Sequence, residues 1–274
     1  LKLGVVVIPR QLSETDKRPL VEQLTELAQN IEKLGFEGLW VTDAFARGWA
    51  TLDPLTLLGA LSSVTNRIEL GTCVVQIPIR HPVEHAHRVQ TLNLLSNGRL
   101  RFGIGSGSTK HDFDAVQADF DRRFKTLTEY FNVMERVWAG EAVYGPALSV
   151  WPGTEGGPQC FLGAWRSPRW INMSARIAGW IASGIYGTEE DLRLGVKMFR
   201  EANGKRAILA NIFTDMRPEG KRGPVNANAK QTLYCTPAEA KDRLKRFEDM
   251  GFDDALLVVP DGDPGQLETM RSLI

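Results

Sequence analysis

The stretch from Arg67 to Ser108, RIELGTCVVQIPIRHPVEHAHRVQTLNLLSNGRLRFGIGSGS, limits the fold more than any other part of the chain. Ile68 to Ile77 is too continuously apolar for a strand with one wet face, so it reads as a parallel strand covered on both sides. Pro78 ends it. His81-Pro82 then opens a helix whose stripe of Val83, Ala86, Val89, Leu92 and Leu94 returns at helical spacing until Asn97-Gly98 stops it. Arg99 to Ile104 is the returning strand, which makes the segment a strand, helix, strand crossover.

The same grammar repeats along the chain. Strands are predicted at Lys2 to Ile8, Gly38 to Thr42, Gln159 to Gly163, Trp180 to Ser183, Arg206 to Phe213 and Asp254 to Val259, besides the two above. Helices are predicted from Pro19 to Leu34, from Asp53-Pro54 to Val64, from Phe120 to Trp138, from Ser167-Pro168 to Ala178, near Glu189 to Ala202, and from Thr236-Pro237 to Met250, with a short last one. Counting the central crossover, eight strands alternate with eight helices. A doubly wound sheet would also alternate, but eight repeats in about 250 residues without a crossover point favour one closed α/β domain, a (β/α)8 TIM barrel over 1–274. An insert at about 140–158 is rich in Pro and Gly and reads as loop or hairpin. The polar connection at about 214–230 reads as a mobile loop, either a lid or a disordered segment, and its Arg217, Lys221 and Arg222 suit an anionic group or a solvated loop.

Composition narrows the function classes. The 274 residues are 43% hydrophobic and carry 33 basic and 33 acidic side chains, which argues against nucleic acid or an anionic membrane as the main partner. No apolar run approaches membrane-spanning length, and Leu1 to Val7 reads as a strand rather than a signal peptide. Cys73, Cys160 and Cys235 are odd in number and lie in apolar settings, so reduced core thiols in the cytoplasm are expected. No metal-ligand spacing is present. His81 and His85 are four apart but lack a third ligand, and His87 and His111 add none.

In such a barrel the chemistry sits on the loops after the strands. That rule selects Pro9-Arg10, Asp43 to Phe45, Gln76 to His81, Gly105 to Asp112, Gly163 to Ser167, Ser183 to Tyr186, Thr214 onward and Pro260 to Asp263. Gly103, Gly105 and Gly107 lack a Cβ at a strand's end, so a flat ring or an oxyanion finds room to approach the main chain. The motif alone is weak, equally suits a tight turn, and is not the dinucleotide fingerprint. Gly163 to Pro168 runs a strand end into a helix start, where free N–H groups, Ser167 and the neighbouring Arg166 and Arg169 suit an anion; a plain Ser N-cap suits the same residues. Trp49, Trp151 and Trp165 fall in loops, as ligand-pocket indoles or as loop anchors.

Taken in order, LGTCVVQIPIRHP, LLSNGRLRFGIGSGS, FDRRFKTLTEYFNVMERVW, LGAWRSPRWINMSARIAGW and TPAEAKDRLKRFEDMGFDDALLV resemble the bacterial luciferase-like monooxygenases over nearly the whole chain. The resemblance implies a barrel that binds FMN, or in one branch the deazaflavin coenzyme F-420, and passes a hydride or oxidises a small organic substrate with oxygen. It places a non-proline cis peptide behind the flavin ring at Cys73-Val74, where a plain trans bond is the alternative. It also places Gly105 and Ser106 beside ring and phosphate, and Arg123 on the phosphate, with pairing to Asp119 as the alternative. Gly163, Ala164, Trp165 and Ser167 form the second cofactor-binding candidate. A homodimer and a flavin reductase partner are implied as well.

One departure bears on mechanism. The histidine that many members carry after the second strand is absent from Thr42-Asp43-Ala44-Phe45, which leaves Asp43 as proton acceptor or ring partner. Asp112, where some members bear an acidic glutamate, is the second catalytic candidate. The missing histidine also keeps open a flavin-binding barrel without turnover. An unrelated phosphate-handling isomerase or aldolase would need a strand-end Lys or Glu, and none stands out.

Overall fold

The structure is a computed structural model that describes residues 1–8, 16–223, 228–259 and 263–273. Its elements in chain order are β1 (Lys2–Val7), α1 (Leu20–Lys33), β2 (Gly38–Val41), α2 (Pro54–Ser62), β3 (Glu69–Thr72), β4 (Val75–Gln76), α3 (Pro82–Leu95) and β5 (Leu100–Gly105). There follow α4 (Lys110–Ala115), α5 (Arg123–Trp138), β6 (Gln159–Gly163), α6 (Pro168–Arg176), β7 (Gly179–Ser183) and α7 (Glu189–Glu201). The chain continues through β8 (Arg206–Asp215), β9 (Thr232–Tyr234), α8 (Pro237–Asp249), β10 (Asp254–Val258) and α9 (Pro264–Arg271).

All pairings are parallel, in the order β10, β1, β2, β3, β5, β6, β7, β8, and β10 pairs back onto β8. The sheet therefore closes into the expected eight-membered barrel, with β3 and β4 forming one interrupted stave. Short local signals start the helices where the sequence places them. Asp53 accepts the Thr56 N–H at 2.8 Å, Thr188 and Thr236 each form a capping box, and proline occupies the first turn of α2, α3, α6, α8 and α9. No helix among the described residues is long and apolar enough to cross a membrane.

The lumen is packed rather than open. Val6, Trp40, Phe161, Ile181, Ile208 and Leu256 fill it, separately from the larger layer between strands and helices. Trp40 fits because its neighbours on three strands are glycines: a Cβ on Gly38 or Gly71 would lie 2.5 or 2.2 Å from the indole, and one on Gly4 3.1 Å from it. The amino-terminal end is closed by charge. Arg206 on β8 reaches both Glu69 on β3 and Asp254 on β10, and Arg101 joins them through Glu69.

The structure departs from the sequence reading where the expected strand Ile68 to Ile77 divides into β3 and β4, and in other places besides. A six-residue helix, α4, stands where only loop was expected, because Lys110 to Ala115 is too short to show a period. β8 continues to Asp215, so the connection expected to begin at Thr214 begins later, and β9 lies near its end. Its described part folds around Asp215, whose carboxylate takes Arg217 at 2.6 Å and the Gly223 N–H at 2.9 Å and is held down to about 2, chiefly by Arg217. The site loops at Pro9-Arg10 and 260–262 lie outside the described residues. The 140–158 insert forms neither helix nor strand and is tied down by the Gln90 to Thr154 hydrogen bond at 3.1 Å.

All three cysteines are free and buried. Burial pushes the Cys73 thiol up to about 12 and raises Cys160 and Cys235 as well, so the nucleophilic thiolate is scarce at neutral pH. The native protein is expected to resist a thiol-specific disulfide reagent for hours and to release three equivalents once denatured. A fast equivalent from the native state would show that one thiol reaches solvent.

Candidate functional site

The carboxyl ends of the strands bring the candidate residues to one rim. Cys73 and Val74 are joined by a cis peptide bond, the geometry the family resemblance implied. Cys73 is buried, and Val74, half-buried, turns its side chain toward Gly105 on β5 and Gly163 on β6. A Cβ on either glycine would stand 2.6 or 2.7 Å from Val74.

That contact corrects the reading of the glycine run. The space left by Gly105 and Gly163 is taken by Val74, that of Gly103 by the Thr72 carbonyl at 1.9 Å, and that of Gly107 by Gln76 and Phe113 at 2.7 Å. The missing Cβ atoms admit neighbouring protein, which no local pattern reveals. Val74 is thus the surface that this part of the rim offers. Ser106 beside it is half-buried, and its hydroxyl makes only a 3.5 Å contact to the Gly107 carbonyl.

Asp43 and Asp112 are both buried and both fully engaged. Asp43 receives two Arg80 nitrogens at 2.7 and 2.9 Å and the Gln76 backbone N–H at 2.9 Å. Asp112, on α4, accepts the Phe45 and Ala46 N–H groups at 3.3 and 2.8 Å, Arg47 twice at 3.1 and 2.8 Å, and the Gln76 amide at 2.9 Å. Burial opposes its charge, but these donors, Arg47 first, outweigh burial and hold its carboxyl below the usual 3.8. The two acids therefore act as bolts for the loop after β2. Of the residues that complete the network, Gln76 and Arg80 lie in a loop the sequence selected, although their bonds to Asp112 and Asp43 were not foreseen, and Arg47 was missed, because each partner is distant along the chain.

Arg123 begins α5. Its guanidinium lies 3.9 Å from the Phe120 ring centre and 4.3 Å from that of Phe124, and one terminal nitrogen donates to the Phe120 carbonyl at 2.9 Å. Its Nε is buried without a partner, and no carboxylate among the described residues pairs with it. Asp119, the alternative partner, instead accepts the N–H groups of Asp121 and Arg122. The group is a flat cation, held by two rings, with an edge to spare.

The first turn of α6 lies beside it. Phe124 meets Trp170 at 6.0 Å, Arg169 covers Trp170 at 4.7 Å, and Arg169 donates to Thr128 on α5 at 3.2 Å. Ser167 occupies the N-cap, but its hydroxyl caps nothing, so the plain capping alternative is not what the structure adopts. The first-turn N–H groups beyond Pro168 have no intrahelical acceptor. Other parts of this candidate are already used. The Ala164 N–H donates to Ile181 at 3.3 Å, and its carbonyl accepts the Trp180 indole N–H at 2.9 Å. Arg166 leaves the turn to pair with Asp191 at 2.5 Å. Trp165 is 66% exposed and stacks on Tyr186 with ring centres 5.7 Å apart.

The histidines contribute no centre. His85 is buried against Phe102, and burial pushes it down to about 3, so it stays neutral. His87 and His111 are exposed, and His81 sits at the N-cap position of α3 without a side-chain capping bond, its ring centre 6.0 Å from that of Tyr144. No cluster among the described residues could hold a metal ion.

Comparison with known proteins gives a consistent picture. The family described as Luciferase-like monooxygenase matches residues 1–210. Limonene 1,2-monooxygenase of Rhodococcus erythropolis is 33% identical over 142 residues, 51% of this chain and 36% of that protein. The F420-dependent glucose-6-phosphate dehydrogenase of Amycolatopsis mediterranei is 30% identical over 152 residues, 52% of this chain and 43% of that protein. The chain thus aligns with less than half the length of these two curated relatives. In three dimensions it resembles monooxygenase RslO1 from Streptomyces bottropensis, with a TM-score of 0.85, 18% identity, and coverage of 100% of this chain and 98% of that one. At that identity the likeness speaks for the fold alone.

Proposed function

The chain belongs to the luciferase-like monooxygenase family, and on that premise we propose that it is a flavin-dependent oxidoreductase that binds FMN and oxidises a small organic molecule. The observation that carries the reading is the convergence of Arg123, with its orphaned Nε and free edge, and the uncapped start of α6 on one corner of the rim. A flat cation beside free N–H groups and a spare hydroxyl suits a phosphate ester. Coenzyme F-420 is the second reading, favoured by the F420-dependent relative, and it also carries a phosphate.

The bound cofactor would supply the electrons and, as reduced FMN, the capacity to activate oxygen. The chain's own residues orient and enclose. Arg123 and Ser167 hold the phosphate, and the Val74 side chain, wedged between Gly105 and Gly163, backs the ring. Asp112 and Asp43 keep the loop from Asp43 to Arg47 folded over the mouth, which limits water at the reacting centre. Proton transfer by either acid requires release from Arg47 or Arg80. A reductase that delivers reduced flavin, a second copy of the chain and the cytoplasm, where its three thiols stay free, complete the proposal.

Separate titrations with FMN and coenzyme F-420, followed by visible absorption, test it. Micromolar binding of FMN and oxygen uptake by the reduced complex are expected. Binding of the deazaflavin alone moves the assignment to hydride transfer, binding without substrate-dependent redox change marks an inert carrier, and binding of neither removes the flavin reading.

A further inference from the structure

One face of α8 looks into a cleft that the start of α7 and the approach to β9 complete. Arg243, Arg246, Phe247 and Met250 recur at helical spacing along that face and line a space of about 200 Å³, with Lys230 and Glu189 across from them. Phe247 and Met250 are buried and give the cleft an apolar floor. Arg243 is half-buried, and Arg246 and Lys230 are exposed.

The three cations make no ion pair among the described residues, because the acids around them are engaged elsewhere. Glu189 pairs with Arg193 at 2.8 Å, Asp249 pairs with Lys245 at 2.9 Å, and Glu239 closes the capping box of α8. Asp242, four residues before Arg246, is exposed and forms no ion pair with it among the described residues. The cleft is also held in shape. Arg243 donates from one terminal nitrogen to the Thr232 carbonyl at 2.8 Å, which fixes the guanidinium against the wall and leaves its Nε and other terminal nitrogen without a partner among the described residues. The wall is anchored in turn: the Lys230 and Gln231 N–H groups donate to Ile185 and Gly184 at 3.1 and 2.8 Å, and the Gln231 amide donates to Gly187 at 2.9 Å.

We propose that this cleft binds a small organic anion, a carboxylate or a phosphate ester with a short apolar body. Like charges round one cleft repel one another, and an oxyanion between Arg243, Arg246 and Lys230 removes that repulsion while accepting the spare N–H groups. The carbon part of the ligand rests on Phe247 and Met250. The space is below the range of a drug-sized ligand site, so the occupant is small.

Phenyl phosphate and benzoate serve as probes, benzyl alcohol as the uncharged control, and binding is read from amide chemical shifts of the isotope-labelled full chain. Arg123→Met is the background throughout, so that the guanidinium at the barrel mouth does not compete. At least one anion is expected to shift the amides of Gln231, Thr232 and Arg243 to Met250, the tighter of the two naming the head group, while the alcohol leaves them in place. Lys230→Glu combined with Arg246→Glu reverses two exposed charges and should weaken the anion by about tenfold at an unchanged melting temperature. Absence of those shifts with both anions, equal binding of the alcohol, or an affinity that survives the double substitution overturns the inference. FMN takes no part in the measurement, so its outcome is independent of the flavin reading.

Discussion

Asp112→Ala is expected to destabilise the protein by about 3 kcal/mol, read as a shift in the urea midpoint. The carboxylate is wholly buried and satisfies two backbone N–H groups, Arg47 and Gln76. Removing it strands donors from the loop after β2 and from β4 at once. The lower end of the usual range for a broken buried pair is chosen because Arg47 keeps 28% of its side chain exposed and is partly rehydrated. The same residue sets a pH dependence. Its folded pKa lies below the unfolded 3.8, so its contribution is complete above that value and is lost as pH falls through the depressed folded value. Asp112→Asn should flatten that acid limb. An unchanged urea midpoint with abolished turnover would return Asp112 to a proton-transfer role.

Arg123→Met should weaken FMN binding by at least tenfold, about 1.4 kcal/mol, while leaving riboflavin binding unaltered. Methionine still fills the slot between Phe120 and Phe124 but offers no cation, so the fold is preserved and the difference isolates the phosphate. Fluorescence titration with both ligands gives the comparison. Equal losses for FMN and riboflavin would show that Arg123 acts on the ring or the fold, and no loss for either would remove it from the site.

The lumen shows how far local pattern reaches. The apolar runs at Gly38 to Thr42 and Ile68 to Ile77 announce strands covered on both faces; the first is β2, while the second is broken at Cys73-Val74 into β3 and β4. That Gly4 and Gly71 flank Trp40 is invisible along the chain, because they come from the two strands on either side of its own, whereas Gly38 precedes it by two residues on the same strand. The glycines after β5 teach the same lesson at the mouth. Their spacing is plain in the sequence, whereas the atoms that occupy the vacated volume come from elsewhere: Thr72, Val74 and Gln76 from the stave of β3 and β4 beside β5, and Phe113 from α4.

The sequence by itself determined the alternation of strands and helices, the closed eightfold barrel and the loops that reach its mouth, because hydrophobic period, caps and breakers act over a few neighbouring residues. It also offered Arg123 and Ser167 as anion groups. Only the tertiary structure decided that Arg123 has no carboxylate partner among the described residues and shares a corner with α6, and that Asp43 and Asp112 are tied to Arg80 and Arg47. Those outcomes depend on which distant side chains satisfy or fail to satisfy a buried polar group, and that balance is settled when the sheet closes.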